Sequence, residues 1–165
     1  MYVPPAATEP GYAPKCYPVL HLLDGDWHFP YVTALVQQLS TVTSLGVCPE
    51  MIVVDIPHPY PTRGLTPTHS TKRWDGAEDR TLNSSGGGEK FLEFLEAEPL
   101  PYIDAKYPTV PYRLLMGHSL GGLTVINTLA TKPKARQYYT ATSRIEDLSE
   151  ARQKIAELQR ASRKP

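Results

Sequence analysis

The sequence predicts an α/β fold, namely a mainly parallel sheet flanked by helices, with an amphipathic helix at the C-terminal end. Continuous apolar runs at 17–23, 51–56 and 112–116 are typical of strands buried on both faces of a parallel sheet. Helical patterns separate these runs, so strands and helices alternate along the chain. The length of 165 residues suits a single domain. Ligands of such sheets bind beyond the carboxyl ends of the strands.

The first helix is expected between the first two strands. The turn pair Asp24-Gly25 closes the preceding strand, and Pro30 suits the first turn of a helix. Apolar residues then recur with the spacing i, i+3, i+4 and i+7, at Val32, Leu35, Val36 and Leu39. This spacing predicts a helix of about three turns.

The polar segment 57–88 is predicted to be a loop, because prolines interrupt it repeatedly, and loops of this length are usually functional or disordered. A helix is predicted over 89–96, with Pro99 and Pro101 disrupting its end. Its apolar face consists of Phe91, Leu92, Phe94 and Leu95. The glycines at 86–88 do not have the spacing of a phosphate-binding loop, so no nucleotide cofactor is expected.

The segment 117–122, with the sequence GHSLGG, carries the clearest chemical signal. It lies between an apolar strand pattern and an apolar helix pattern, and it matches the G-x-S-x-G nucleophile elbow. Glycines on both sides of Ser119 remove the Cβ atoms that would collide where strand and helix pass closely. The N–H of Leu120 stands at a helix N-terminus, where it can stabilise an oxyanion. The pattern predicts an ester hydrolase with Ser119 as nucleophile.

Composition excludes several other classes of protein. Lys plus Arg and Asp plus Glu number 17 each, and this balance argues against nucleic acid or an anionic membrane surface as a partner. No apolar stretch approaches the ~20 residues that span a bilayer. No signal peptide is visible, so the cytoplasm is the default expectation and the compartment stays open. Cys16 and Cys48 lack metal-ligand spacing, and neither a metal site nor a cofactor is predicted.

The chain divides at about residue 133. Residues 1–133 contain all the strand and helix patterns of the sheet. Residues 134–165 are predicted to form a C-terminal helical tail, which begins with a capping-box pattern at 143–146 and continues with a charged amphipathic stripe. This helix either docks on the domain, remains solvated or binds a partner.

Four segments resemble one family. Residues 17–26 (YPVLHLLDGD), 63–69 (RGLTPTH), 86–96 and 117–122 are similar to the esterase family of α/β hydrolases that includes esterase D, enterochelin (siderophore) esterases and mycolyltransferases. The resemblance covers about residues 2–133, in the family's order. It implies a partial α/β-hydrolase fold and a carboxylic-ester hydrolase that acts on a small-molecule ester without a cofactor.

The resemblance also implies roles for single residues. Ser119 would be the nucleophile, and the N–H groups of Leu120 and Asp26 would form the oxyanion hole. Substrate contacts would come from Gly25, from the loop that carries Arg63 and His69, and from His118 beside the nucleophile. His28 either contacts substrate or begins the helix. His21, on a buried strand, is expected to be a core histidine with its hydrogen bonds satisfied.

The sequence departs from the family in two ways. Gly64 stands where relatives often carry an acidic residue. More importantly, α/β hydrolases place the acid and the histidine of the triad after the serine. All five histidines here precede Ser119, namely 21, 28, 58, 69 and 118. The chain therefore resembles the central portion of an esterase domain.

Two functional hypotheses remain open at this point. The first is a serine ester hydrolase, impaired by the missing acid and base or served by His58 or His69 as a substitute base. The second is a non-catalytic remnant or pseudoenzyme that binds a ligand or a partner protein. An incomplete parallel sheet also exposes an apolar edge, so self-association through that edge or through the C-terminal helix is predicted.

Overall fold

A computed structural model of the chain describes residues 1–8, 15–41, 48–73, 75–131 and 137–142, the last of these as backbone only. The predicted alternation of strands and helices is present. In chain order the elements are β1 (Tyr17–Leu23), α1 (Phe29–Thr41), β2 (Ile52–Ile56), α2 (Pro61–Gly64), α3 (Gly88–Ala97), α4 (Pro99–Lys106), β3 (Thr109–His118), α5 (Leu120–Thr131) and β4 (Gln137–Thr142).

The strands form one parallel sheet in the order β2-β1-β3-β4. Strand β1 is central and nearly all of its residues are buried, as its unbroken apolar run predicts. Leu23 at its end pairs with Ile56 of β2 and with Gly117 of β3. The three strands therefore end at the same level, and the turns that follow them lie at one rim of the sheet.

Helices cover both faces of the sheet. One face packs against α1 and forms a cluster centred on Leu20, Leu22, Val32 and Val53. The opposite face packs against the other long helices and forms the larger cluster, which includes Leu23, Ile52, Leu65, Leu92 and Val125. Val32 and Val36 supply the buried face of α1, and Phe91, Leu92 and Leu95 supply that of α3. Leu35 and Phe94, which the spacing also placed on these faces, are 49% and 42% exposed. Together these two layers confirm the predicted α/β architecture.

Two elements differ from the sequence-based expectation. Pro99 and Pro101 were expected to disrupt a helix, and α3 does end at Ala97, but Pro99 then begins α4. Proline is favoured in the first turn because its missing N–H has no intrahelical acceptor there. The second difference is β4, because residues 137–142 form a strand beside β3 where a helical tail was predicted. Residues 143–165 lie outside the described residues, so the domain boundary and the tail helix stay predictions.

The N-terminal arm covers one edge of the sheet. Tyr2 makes an antiparallel bridge with Val53 of β2, with N–H···O distances of 2.8 and 3.0 Å. Pro4 is fully buried, and Val3 packs against the core. Paired edges are less able to add a strand from another chain. Self-association is therefore not expected at the β2 edge. Self-association elsewhere stays a prediction.

His21 is buried in β1, as expected of a core histidine, but its hydrogen bonding is incomplete. Among the described residues its Nε2 has no hydrogen-bond partner. Burial, assisted by the nearby Arg113, lowers the pKa of His21 to about 4. The prediction of a fully satisfied histidine is therefore not met among the described residues, although the cavity beside His21 is lined by Glu96 and Thr128 as well as by apolar side chains.

We expect this histidine to make the fold acid-sensitive. The unfolded chain takes up a proton near the usual pKa of about 6.5, whereas the native state resists it until about pH 4. Stability is therefore complete above pH 6.5 and is lost as the pH falls, by about 3 kcal/mol between pH 7 and pH 4. Urea unfolding at both pH values measures this loss. In His21→Leu the loss should shrink by about this amount, and an unchanged pH dependence would contradict the assignment.

Candidate active site

Ser119 stands on the turn between β3 and α5 in a strained conformation. Its φ is 52°, in the left-handed region that non-glycine residues rarely adopt. The turn is tight because Gly117 passes close to the start of the helix, where a Cβ on Gly117 would lie 2.8 Å from Gly121 Cα and closer still to its carbonyl carbon. Ser119 is exposed at the rim of the sheet. This geometry is the one expected of a nucleophile elbow, and the role of Ser119 stays a prediction.

A second strained turn faces the elbow from the end of β1. Asp24 also has a φ of 52°, and Leu23 pairs directly with Gly117, so the two turns leave the sheet side by side. The turn closes onto α1 through hydrogen bonds from the His28 and Phe29 N–H groups to Gly25 O, at 2.8 and 2.7 Å. Among the described residues the N–H groups of Asp26 and Leu120 donate no hydrogen bond. Both N–H groups lie on adjoining turns, as an oxyanion hole requires.

Histidine rings connect the two turns. The rings of His28 and His118 meet edge to face with centroids 4.9 Å apart, and Tyr31 contacts His28 at 5.5 Å. The backbone carbonyl of His28 also accepts the Val32 N–H, so His28 lies at the beginning of α1, as one of its two expected roles required, and its contact with substrate stays a prediction. Trp27 beside it is 87% exposed. The flank of the serine is therefore a surface of aromatic and imidazole rings.

The segment that carries Arg63 and His69 packs against the backbone of Gly87 and Gly88. The N–H groups of Gly87 and Gly88 donate to Arg63 O and Thr66 O at 2.8 and 3.0 Å, and a Cβ on either glycine would lie within 2.8 Å of these same carbonyl oxygens. His69 Nδ1 lies 3.2 Å from Ser85 O. The glycines at 86–88 thus serve close backbone packing. Among the described residues no hydrogen bond or ring contact joins the Arg63 or His69 side chain to Ser119.

His58 occupies the space beside Gly64. A Cβ on Gly64 would overlap the His58 ring, which also meets Phe91 edge to face at 4.8 Å. The Tyr60 N–H donates to His58 Nδ1 at 3.2 Å, and partial burial lowers the pKa of His58 although Asp24 acts in the opposite direction. Nδ1 of the ring therefore acts as a hydrogen-bond acceptor. Gly64 is glycine because His58 fills the space of its side chain.

Asp55, at the end of β2, was missed by the sequence analysis. Burial, followed by the charge of Asp26, raises the pKa of its carboxyl, while the N–H of Gly25 favours the charged form. Its Oδ1 is buried and has no hydrogen-bond partner among the described residues. The one available signal was a single charged residue inside an otherwise apolar strand run.

The described parts of the chain hold no candidate for a metal site or a membrane-spanning helix. No group of three or more His, Cys, Asp or Glu side chains there could hold a metal ion. Within the same residues, no helix combines the length and apolar character needed to cross a bilayer. The strained serine turn and the turn beside it are therefore the clearest functional geometry.

Comparisons with known proteins agree with this fold. The model of the family described as "Putative esterase" matches residues 2–157, and the chain belongs to this family. This match extends past residue 133, which is where the resemblance seen in the sequence ends. A solved structure of an IroE-like serine hydrolase from Shewanella oneidensis superimposes with a TM-score of 0.77 at 31% identity, covering 87% of this chain and 46% of that one.

Two curated proteins that are similar to this chain are siderophore esterases. The ferri-bacillibactin esterase BesA of Bacillus subtilis is 34% identical over 87% of this chain and 52% of its own length. The apo-salmochelin esterase of Escherichia coli O6:H1 is 28% identical over 76% of this chain and 41% of its own length. The chain therefore spans about half the length of these relatives, or less.

Proposed function

We propose that this chain forms the nucleophile and oxyanion-hole part of a serine esterase, with Ser119 as the nucleophile. The observation that carries the proposal is the left-handed φ of Ser119 on the turn between β3 and α5. A serine held in that conformation is strained, and strain of this kind is concentrated at functional sites. The family membership supports ester hydrolysis as the reaction.

In the proposed reaction the Ser119 hydroxyl attacks the ester carbonyl and loses its proton to a general base. Negative charge develops on the carbonyl oxygen, and the N–H groups of Leu120 and Asp26 stabilise it. The alcohol leaves with a proton, and water then hydrolyses the acyl-enzyme. Gly25 lets the backbone of its turn approach the substrate, while His28, His118, Arg63 and His69 would line the substrate's path.

The identity of the base decides the rate. In a well-studied serine protease, loss of the serine or the histidine lowers kcat by about 2 × 10⁶. No histidine follows Ser119 in this chain, so the usual chain order of the triad is not met. His58 Nδ1 already accepts the Tyr60 N–H, and among the described residues no hydrogen bond joins the His58 or His69 ring to Ser119, which argues against either as an efficient substitute.

The substrate class proposed is the siderophore ester. The relatives are named for ferri-bacillibactin and salmochelin, and a solved structure at 22% identity is that of a siderophore hydrolase. Exposed rings beside the serine, including Trp27, offer flat apolar surface to a substrate of this kind. Because positive and negative residues balance, the net charge of the chain does not favour substrates of either charge, and these local contacts would select the substrate.

Fluorophosphonate labelling of the full chain tests the nucleophile. We expect one labelled residue, Ser119 by peptide mass spectrometry, at a rate well below that of an intact triad because the histidine is missing. His58→Ala and His69→Ala should label at the rate of the unmodified chain. Absence of labelling in a protein whose circular dichroism shows the expected fold would overturn the enzymatic proposal and favour a non-catalytic binding role.

A further inference from the structure

A cleft opens on the face of the sheet opposite α1, away from the serine turn. It has a volume of about 590 Å³, within the range of known small-molecule sites, and it lies between α3, α4 and β3. Ser119 does not line it. The walls combine apolar and charged side chains, namely Leu100, Pro101 and Ala105 with Glu96, Asp104 and Arg113.

The cleft continues inward to His21. A narrower cavity of about 20 Å³ shares Glu96 and Leu100 with the cleft and reaches His21 and Thr128 in the core. This inner cavity has room for one water molecule or one hydroxyl group. His21 lies two residues before Leu23, the residue from which β1 enters its turn at the rim. With a rise of about 3.3 Å per residue, His21 is about 7 Å from the end of its strand, so the cavity is separate from the candidate active site.

Two buried polar atoms of residues that line these cavities have no hydrogen-bond partner among the described residues. They are Nε2 of His21 and Nε of Arg113. His21 is only 3% exposed, so bulk water does not replace the missing hydrogen bond. Buried polar groups of native proteins nearly always have a partner, which can be a ligand or an ordered water molecule. Two such atoms beside one continuous cavity therefore indicate that a polar molecule binds there.

The charges of the cleft disfavour a charged ligand. The Arg113 guanidinium pairs with Asp104, whose other carboxylate oxygen accepts the Thr109 hydroxyl at 2.9 Å. An anion would meet the carboxylates of Asp104 and Glu96, and a cation would meet the guanidinium. Burial, assisted by Arg113, lowers the pKa of His21, so its ring is neutral at pH 7. A neutral imidazole has one donor nitrogen and one acceptor nitrogen.

We propose that the cleft is a second binding site, which takes a small neutral alcohol with its hydroxyl group at His21 Nε2 and its apolar body against Leu100 and Pro101. A hydroxyl group both donates and accepts, so it satisfies Nε2 in either tautomer of the ring, whereas a carbonyl oxygen only accepts. The hydroxyl group also fits the inner cavity. This site does not involve Ser119 and is independent of the proposed esterase reaction.

Three probes with the same apolar ring test the choice of ligand, namely cyclohexanol, cyclohexylammonium and cyclohexanecarboxylate. NMR of the full chain at pH 7 follows the imidazole nitrogen resonances of His21. Cyclohexanol should shift the Nε2 resonance saturably with a Kd of about 1–10 mM, because so small a molecule buries little surface. The charged probes should bind at least about tenfold more weakly, since each meets a like charge. Equal binding of the three probes, or a bound water at His21 that cyclohexanol does not displace, would overturn the proposal.

Two tryptophan variants locate the bound alcohol. Leu100→Trp should raise the Kd of cyclohexanol at least about tenfold, because Leu100 is half-buried and lines both cavities, so that the larger ring fills the cleft. Leu129→Trp is the matched control and should leave the Kd unchanged, because Leu129 is 39% exposed on α5 and lines neither cavity.

His21→Leu tests the hydrogen bond itself. Saturation-transfer NMR observes the ligand and so does not need the histidine resonance. The Kd of cyclohexanol should rise about fivefold in this variant, in keeping with the loss of one hydrogen bond. An unchanged Kd in either His21→Leu or Leu100→Trp would overturn the proposal.

Discussion

Ser119→Gly is expected to abolish fluorophosphonate labelling and to produce a more stable protein than Ser119→Ala, by about 1 kcal/mol. Ser119 has a φ of 52°, a conformation that is disfavoured by about 1–2 kcal/mol for residues with a Cβ and that glycine adopts freely. Glycine also raises the conformational entropy of the unfolded chain, which reduces this stabilisation. The comparison with alanine removes the effect of the lost hydroxyl. Urea unfolding of the two variants measures the difference.

Asp24 provides the matched control for this strain. It has the same φ of 52° on the neighbouring turn, but it carries no hydroxyl nucleophile. Asp24→Gly should also have a higher free energy of unfolding than Asp24→Ala. In both variants fluorophosphonate should still label Ser119. Equal stability of Ser119→Gly and Ser119→Ala would contradict the idea that strain is held at the nucleophile for function.

Gly117→Ala is expected to destabilise the protein by about 3 kcal/mol and to slow labelling of Ser119 about 100-fold. The added methyl would meet the backbone of Gly121, which belongs to α5 and cannot rotate away as a side chain can. Overpacking of this kind costs about 1–3 kcal/mol, and contact with backbone places it at the upper end. The helix must shift, and a displacement near 1 Å at a reacting group lowers the rate about 100-fold.

The control lies four residues further along the same elbow. A Cβ on Gly121 would lie 3.3 Å from Leu23 O, a contact that a small adjustment relieves, and alanine favours the helix by up to about 1 kcal/mol. Gly121→Ala should therefore change the free energy of unfolding by less than about 1 kcal/mol. Thermal and urea unfolding of both variants give the comparison. Similar losses in the two variants would show that close passage at position 117 is not the special constraint.

The sequence contained enough information to predict the layered fold. Three apolar runs predicted β1, β2 and β3, and helical spacing predicted α1 and α3, because burial on one or two faces leaves a direct periodic pattern. The apolar run that follows the elbow predicted α5. The helix α4 was not recognised because proline both ends and begins helices. The strand β4 has a usable signal in the sequence QYYTAT, since tyrosine and threonine are common in strands, but it lacks the apolar run of a central strand.

The site could be predicted only in part. Glycine and serine spacing located the elbow, since the motif is local and each glycine has a steric reason. The contact between His28 and His118 could not be predicted, because it depends on the lateral pairing of β1 with β3. The approach of Asp55 to Gly25 depends in the same way on β2 lying beside β1. Contacts between residues far apart in the chain leave no periodic trace in the sequence.

The central position of β1 has a consequence for how the chain is made. One edge of β1 pairs with β2, but the other edge pairs with β3, and Leu23 meets Gly117 only after 94 further residues of chain. At a synthesis rate of about 5–20 residues per second, the edge of β1 that will meet β3 stays unpaired in the nascent chain for roughly 5 to 20 s. During that interval the open edge can pair with a neighbouring nascent chain. Protection on the ribosome therefore matters to the yield of folded protein as much as the stability finally reached.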